Sequence, residues 1–226
     1  MRGLKTLVAA VVLCSATTVA PLAAATVNVT TQGTNAFRDA TGQNAWFEST
    51  KFKLNGTSRS AAAGLFRLTA TGAGGATQNF LAFCLEPLET LTLPKDHTVG
   101  TTLGTSILDR LGTLMSNAFG LVNGSSSAAA FQMAVWEIAN ESSSSLDLGS
   151  GAFMMTQANA ATKSLAQSWL DNITSGAWTS SRKVTVLSAP GTQDLLTDIA
   201  PVPVPAAGVL LLGGLAAMGA VRRRHK

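Results

Sequence analysis

Apolar segments at both ends of the 226-residue chain confine its foldable part to the middle. The first 25 residues carry Arg2 and Lys5, then an apolar run, then small residues at Ala23 and Ala25. This order is typical of a secretory signal peptide and predicts cleavage after Ala25. The protein is therefore expected to be exported across the inner membrane of a bacterium.

The last segment, residues 201–226, has three parts. Residues 201–205 alternate proline with other residues, which predicts a stiff extended spacer. Residues 206–221 are uncharged and apolar, slightly short for a full membrane span. Four cations follow, which would hold this end in the cytoplasm: Arg222, Arg223, Arg224 and Lys226. By themselves these parts indicate a C-terminal membrane anchor.

The same tail resembles a Gram-negative sorting signal, the VPLPA variant of PEP-CTERM. The matching motif is Val202, Pro203, Val204, Pro205 and Ala206, with Val204 in place of the usual leucine. In that family an exosortase-like membrane protease processes the tail and releases the protein to the cell surface or matrix. The resemblance implies a membrane anchorage that lasts only until processing.

The remaining residues 26–200 correspond to one domain, long enough to bury a proper core. Of the chain's 16 Lys and Arg, two lie in the first segment and four in the last, which leaves ten against 12 Asp and Glu. The domain thus has a net charge of −2, and the sequence pI of 9.4 comes from the two ends. This charge gives no indication of nucleic-acid binding.

Cys84 is the only cysteine expected in the mature protein. Cys14 lies in the signal peptide, and it follows Leu13 where a lipoprotein signal would carry a small residue. No intrachain disulfide is possible, and a lone thiol in an oxidising compartment needs an explanation. The simplest explanation is that Cys84 is a small buried hydrophobic residue.

The sequence predicts strands first and then helices. Strands are predicted over residues 26–31, 45–56, 63–71 and 78–86. In the last of these, alternation places Phe80, Ala82 and Cys84 on one inward face. His97 is predicted to lie in a solvated turn, within the segment LPKDHTVG.

Helical periodicity begins near residue 105. One helix is predicted over residues 105–120, and Ser127 is predicted to cap a second that carries Gln132. A third, over about 153–176, has an apolar stripe of Met154, Ala158, Ala161, Leu165, Trp169 and Ile173. The stretch 182–189 returns to strand. Strands, then helices, then strand indicate an α+β fold.

Gln132 is the odd residue in the segment FQMAVWEI. On a helix it would share its face with Ala128, Ala129, Val135 and Trp136, all apolar. Burying a primary amide costs a few kcal/mol unless its donors and acceptors find partners. Gln132 therefore has a specific partner or is no longer an ordinary amide.

The two unusual residues lie in motifs that resemble the thioester domains of bacterial surface adhesins. Those domains carry an aromatic-Cys motif on a strand, matched by Phe83-Cys84, and a Gln-x-Ala-Ile-Trp motif on a helix. The second motif is matched by Gln132, Ala134, Val135 and Trp136, with Val135 in place of isoleucine. The clear resemblance covers about residues 78–173. It implies an antiparallel β-sandwich or barrel with an inserted helical subdomain.

The resemblance also implies a covalent bond between the Cys84 sulfur and the Gln132 side-chain carbonyl, formed with loss of ammonia. Such a thioester is a stored electrophile that a surface amine can open, leaving the protein attached through an amide. Phe83 and Trp136 would shield the bond or set its orientation. The expected partner is an amine-bearing surface or matrix ligand, with no cofactor. The bond would be spent once, so a turnover enzyme is not expected.

Two other interpretations remain open from the sequence. Gln132 could be a buried amide that binds backbone groups, in a purely structural surface or matrix protein. Cys84 and His97 could form the dyad of a hydrolase or transglutaminase, since a cysteine nucleophile needs a base. Metal binding is not expected, because one cysteine and one interior histidine provide too few ligands.

Overall fold

A computed structural model describes residues 25–72 and 74–199. The predicted signal peptide up to residue 24 and the predicted sorting tail from residue 201 lie outside these residues. Within the described part of the chain, no helix is both long and apolar enough to cross a membrane.

The described residues contain nine strands and three α-helices. The strands are β1 (Thr26–Thr31), β2 (Phe47–Leu54), β3 (Thr57–Gly64), β4 (Phe66–Gly72), β5 (Thr77–Cys84), β6 (Lys95–Val99), β7 (Phe153–Gln157), β8 (Thr185–Ser188) and β9 (Leu195–Thr197). The helices are α1 (Thr105–Ala118), α2 (Ser125–Asn140) and α3 (Ala160–Thr174). A short 3₁₀ helix, Phe119–Leu121, follows α1.

Six of the strands close into an antiparallel barrel in the order β1, β4, β5, β9, β8, β6. Alternation determines which side chains fill it: Phe66, Leu68 and Ala70 of β4 are buried, while the residues between them are less so. The other three strands form a second antiparallel sheet in the order β3, β2, β7. The prediction of an α+β fold with an antiparallel barrel is confirmed.

The three helices lie in sequence between barrel strands β6 and β8, and α2 is the central one. It packs against α1, α3, the second sheet and the barrel strand β5. Every residue from Ala128 to Ile138 is buried. A helix that is buried all round needs small residues for close approach, and α2 supplies four alanines: Ala128, Ala129, Ala130 and Ala134. The helix therefore connects the barrel to the rest of the core.

Most predicted elements are present, with shifted ends. The strands predicted over 26–31, 45–56, 63–71 and 78–86 correspond to β1, β2, β4 and β5, and the first two helices are α1 and α2. Phe80, Ala82 and Cys84 are buried, as alternation predicts. The final predicted strand is β8.

Three local predictions are wrong. His97 does not lie in a solvated turn, because it is a fully buried residue of β6 opposite Val27. Ser127 is not the N-cap of α2. Instead Gly124 holds that position, and the Ser127 hydroxyl accepts from the Gly124 N–H at 3.1 Å.

The third error concerns Met154, which was predicted to be helical. It lies in β7, where pairing with β2 overrides the apparent helical period. The helix α3 begins only at Ala160, after the Asn159 side chain caps it. Its buried face is also displaced from the predicted stripe, since Ala161 is exposed and the buried residues are Thr162, Ala166, Trp169 and Leu170.

The junction between β3 and β4 transfers the chain from the second sheet to the barrel. Gly64, the last residue of β3, pairs with Phe47, and Leu65 donates to the Trp46 carbonyl at 3.0 Å. A Cβ at Gly64 would meet the Trp46 carbonyl oxygen and the Phe47 backbone. Only glycine permits this approach of the two strands.

We expect Gly64→Ala to lower the free energy of unfolding by about 1–3 kcal/mol, because the backbone must shift to admit the methyl group. Gly120→Ala is the matched control, since nothing lies within 4 Å of a Cβ there. Denaturant unfolding of both variants measures the difference. Equal stability of the two variants would contradict the close approach.

Candidate functional site: the Cys84–Gln132 pair

Cys84 lies where the barrel strand β5 loses one of its two neighbours. On one side it pairs with Leu195 of β9. On the other side the ladder with β4 ends at the pair Phe66 and Ala82. Continued register would place Gly64 opposite Cys84, but Gly64 is paired in the second sheet. The Cys84 backbone N–H and C=O therefore need another partner.

The side chain of Gln132 supplies that partner from helix α2. The Cys84 N–H donates to Gln132 Oε1 at 2.9 Å, and Gln132 Nε2 donates to the Cys84 carbonyl at 2.7 Å. Two residues of an antiparallel pair exchange hydrogen bonds in this same way. The carboxamide thus replaces a missing strand residue and is held by two short hydrogen bonds.

Neighbouring contacts fix the register between β5 and α2. The Phe83 and Phe131 rings, one residue before Cys84 and Gln132, have centroids 4.4 Å apart. One turn beyond Trp136, Asn140 Nδ2 donates to the Leu85 carbonyl at 3.3 Å. The pairing of Cys84 with Gln132 is therefore part of a longer strand–helix contact.

The Cys84 thiol is in a strongly apolar setting. The residue is 1% exposed, and burial raises the pKa of its thiol to about 12, against the lowering effect of the Trp136 indole N–H. The carboxylates of Glu86 and Asp194 raise this pKa further. At neutral pH the thiol is un-ionised, so any reaction of the sulfur must also move its proton.

Trp136 is buried beside this thiol, and its ring is fixed by aromatic neighbours. Its centroid lies 5.7 Å from that of Phe52 and 6.1 Å from that of Phe153. Its indole N–H has no hydrogen-bond partner among the described residues. It is therefore free to donate to a thiolate at Cys84, which is the interaction that lowers the thiol pKa.

A groove of about 510 Å³ connects this site with solvent. We call it the thiol groove. Cys84 and Trp136 contribute to its lining. The rest of its lining comes from residues 35–37, 59–62, 66 and 87–91 and from Gln193. Cys84 is therefore buried, yet it contributes to the lining of a groove that is open to solvent.

Of the four residues predicted for the thioester site, the structure brings three together at Cys84: Gln132 binds its backbone and Trp136 lies beside its thiol. Cys84, Gln132 and Trp136 meet as described. Phe83 instead packs between α2 and the 3₁₀ helix, against Phe131 and Phe119. The sorting motif, residues 202–206, lies outside the described residues.

His97 is not hydrogen-bonded to Cys84. Its Nδ1 lies 3.1 Å from the Lys95 carbonyl oxygen, and its Nε2 has no partner within the described part of the chain. It is fully buried in β6, a strand that pairs with β1 and β8 rather than with β5. No contact supports a Cys84–His97 dyad.

Two further polar residues were not singled out by the sequence analysis as part of the site. Gln193 lies in the segment before β9 and lines the thiol groove. Glu137 is fully buried, and burial raises the pKa of its carboxyl to about 7. Its Oε1 accepts from the Asp147 N–H at 2.7 Å, while its Oε2 has no partner among residues 25–72 and 74–199. It points away from Gln132, toward the segment before β7.

Comparison of the chain with protein-family models, curated proteins and solved structures finds no match. Among the described residues no group of three or more His, Cys, Asp or Glu could hold a metal ion.

The hydrogen bonds of Gln132 can be tested without any contribution from a covalent bond by working in a Cys84→Ala background. We expect the free energy of unfolding of Cys84→Ala/Gln132→Met to be about 2–4 kcal/mol lower than that of Cys84→Ala alone. The reason is that the backbone N–H and C=O of residue 84 lose their hydrogen-bond partners. Denaturant unfolding measures this difference. Two variants of equal stability would show that the pair of hydrogen bonds contributes nothing.

Glu137 makes stability depend on pH. Because its folded pKa of about 7 lies above the ordinary value of 4.5, the folded state holds a proton that the unfolded state releases. The free energy of unfolding therefore falls as pH rises from about 4.5 to about 7, and the loss is complete above that range.

We expect Glu137→Gln to remove this part of the pH dependence, measured by urea unfolding from pH 4.5 to 8. Asp109→Asn, at an exposed carboxyl of α1, is the control and should unfold with the wild-type profile. A Glu137→Gln profile parallel to wild type would contradict the assignment.

Proposed function

We propose that this chain is an exported surface or matrix protein whose domain is thioester-domain-like and carries an internal Cys84–Gln132 thioester. The bond serves for a single covalent attachment to an amine on a surface or matrix ligand. The tail over residues 201–226 serves as the sorting signal that an exosortase-like protease processes. The domain is not a turnover enzyme.

The observation that carries the proposal is the pair of hydrogen bonds between the Gln132 carboxamide and the backbone of Cys84. They hold the carboxamide against the residue that bears the nucleophilic sulfur, which supplies part of the proximity that a poor electrophile requires. The Cys84 N–H already donates to Oε1, the atom that would become the oxyanion. This donor supports the tetrahedral intermediate.

Bond formation balances with the groups present. The Cys84 sulfur adds to the Gln132 side-chain carbonyl carbon, the carbon–nitrogen bond breaks, and the nitrogen leaves as ammonia with the thiol proton. The Trp136 indole N–H can donate to the sulfur as it develops negative charge. The buried setting excludes the water that would hydrolyse the product.

The same hydrogen bonds also favour a second candidate. They satisfy Gln132 as an ordinary buried amide, as most buried polar groups are satisfied. In that case the chain is a non-reactive structural protein of the surface or matrix. The two candidates differ in one covalent bond, which mass and thiol measurements detect.

We expect the intact mass of the exported wild-type domain, residues 26–200, to be lower than its sequence mass by one ammonia. Incubation with methylamine should then add one methylamine, because the amine opens the thioester at Gln132. The Cys84→Ala variant is the control and should show the full sequence mass and no adduct.

A thiol count under denaturing conditions separates a consumed thiol from a buried one. The wild type should expose a thiol only after hydroxylamine treatment, since a thioester survives brief unfolding but a free thiol is titrated at once. Full sequence mass with one thiol that titrates on unfolding would leave the structural protein as the answer.

A further inference from the structure

The thiol groove contains two buried polar atoms that have no hydrogen-bond partner among the described residues: Trp136 Nε1 and Gln193 Oε1. The Trp136 N–H lies where it can donate to the Cys84 sulfur as a thiolate. Gln193 Oε1 is an acceptor that no donor among the described residues reaches. A buried acceptor without a partner in a solvent-connected groove indicates a ligand that donates a hydrogen bond.

The Gln193 side chain is held in place at its other end. Its Nε2 donates to the Glu89 carbonyl at 2.5 Å, which identifies Oε1 as the atom left over. The flanking residues are also tied to the groove loop. The Thr92 N–H donates to Thr192 Oγ1 at 2.8 Å, and the Asp194 N–H donates to Glu86 Oε2 at 3.0 Å. Gln193 Oε1 therefore belongs to a segment whose position is fixed by several hydrogen bonds.

The charges around Gln193 favour a cationic ligand. Glu86, Glu89 and Asp194 are near enough that Glu89 and Asp194 each raise the pKa of the Glu86 carboxyl, after burial as the main cause. Arg59 is the one cation in the described lining of the groove, opposed there by Glu89. An ammonium group approaching Gln193 thus enters a region of net negative charge.

The rest of the lining favours a hydrocarbon chain. Just over half of the lining surface is apolar, and it includes Phe37, Ala62, Phe66, Pro87 and Leu91. Each methylene group that is buried against such residues strengthens binding. An alkyl chain would therefore bind there more tightly than a hydroxyl-rich group of the same size.

We propose that the thiol groove binds the nucleophile as a primary amine on an unbranched alkyl chain, and that Gln193 Oε1 positions its nitrogen by accepting a hydrogen bond. This inference rests on the proposed thioester, and it assigns Gln193 as a positioning residue. A ligand that enters as an ammonium first gives one proton to solvent in the open groove. The neutral amine nitrogen then adds to the Gln132 carbonyl carbon, the carbon–sulfur bond breaks, and the second proton that nitrogen loses ends on the Cys84 sulfur. The products are an amide at Gln132 and a buried thiol.

The test uses wild-type protein in which the loss of ammonia has been verified by mass. Adduct formation is timed with methylamine and with n-butylamine, which are closely matched in basicity, and the ratio of rates is compared with that for a small-molecule thioester. We expect the protein to favour n-butylamine by about tenfold more than the small thioester does. Absence of this preference would overturn the groove as the amine site.

Gln193 is tested with two substitutions that separate its oxygen from its nitrogen. Gln193→Ala removes the acceptor and should slow n-butylamine addition by about tenfold, the loss of one hydrogen bond. Gln193→Glu keeps an acceptor but loses the hydrogen bond that holds the side chain against the Glu89 carbonyl, so its rate should lie between those of wild type and Gln193→Ala. Ser60→Ala, at another polar residue that lines the groove, is the control.

Spontaneous hydrolysis of the thioester should be the same in all variants, because water does not need the acceptor. If Gln193→Ala reacts like wild type, or if Gln193→Glu is as slow as Gln193→Ala, the positioning role is wrong, although the thioester stands. A wild type that forms no thioester overturns both proposals.

Discussion

The strand–helix contact at the centre of this fold depends on two hydrogen bonds between a side chain and one residue of backbone. The Gln132 carboxamide binds the Cys84 N–H and C=O at the point where β4 has turned away from β5. Without it, both backbone groups would be buried and unpaired, at a cost of about 1–3 kcal/mol each. The end of the β4–β5 ladder thus determines where the Gln132 carboxamide lies. It is placed beside Cys84, the residue that carries the sulfur.

Other polar side chains of helix α2 also bind backbone groups of neighbouring segments. The helix is buried on all sides, yet it carries polar side chains that bind the backbone of two other segments. Gln132 binds Cys84 and Asn140 binds the Leu85 carbonyl next to it, whereas Glu137 binds the Asp147 N–H. Apolar packing alone leaves a helix free to slide or rotate at little cost, whereas a displaced buried hydrogen bond is expensive. These polar groups therefore specify one orientation for a helix whose surface is otherwise mostly alanine and large apolar residues.

The sequence predicted the regular elements better than the junctions between them. Gln132 was identifiable because an amide in an apolar run contradicts its surroundings, and Cys84 because it is alone in residues 26–200. The strand β6 was missed because the charged segment around His97 resembles a turn, and only closure of the barrel buries that histidine. β7 was missed for a related reason, since pairing with distant β2 decides its state. Gln193 has no local signal at all. Its relevance arises from a groove formed by segments more than a hundred residues apart in the chain.

If Gln132 holds a target as proposed, the burial of α2 has a mechanical consequence. Tension from the target would enter the domain at the middle of its most enclosed helix, and not at a surface loop or a terminal strand. To extract that helix, the load must separate it from α1, α3, the second sheet and β5 together. Once Cys84 has left, no covalent bond connects Gln132 to β5, so resistance to pulling comes entirely from this surrounding shell. The force needed to unfold the domain from Gln132 would then depend on how many of these neighbouring elements must separate from α2 at the same time.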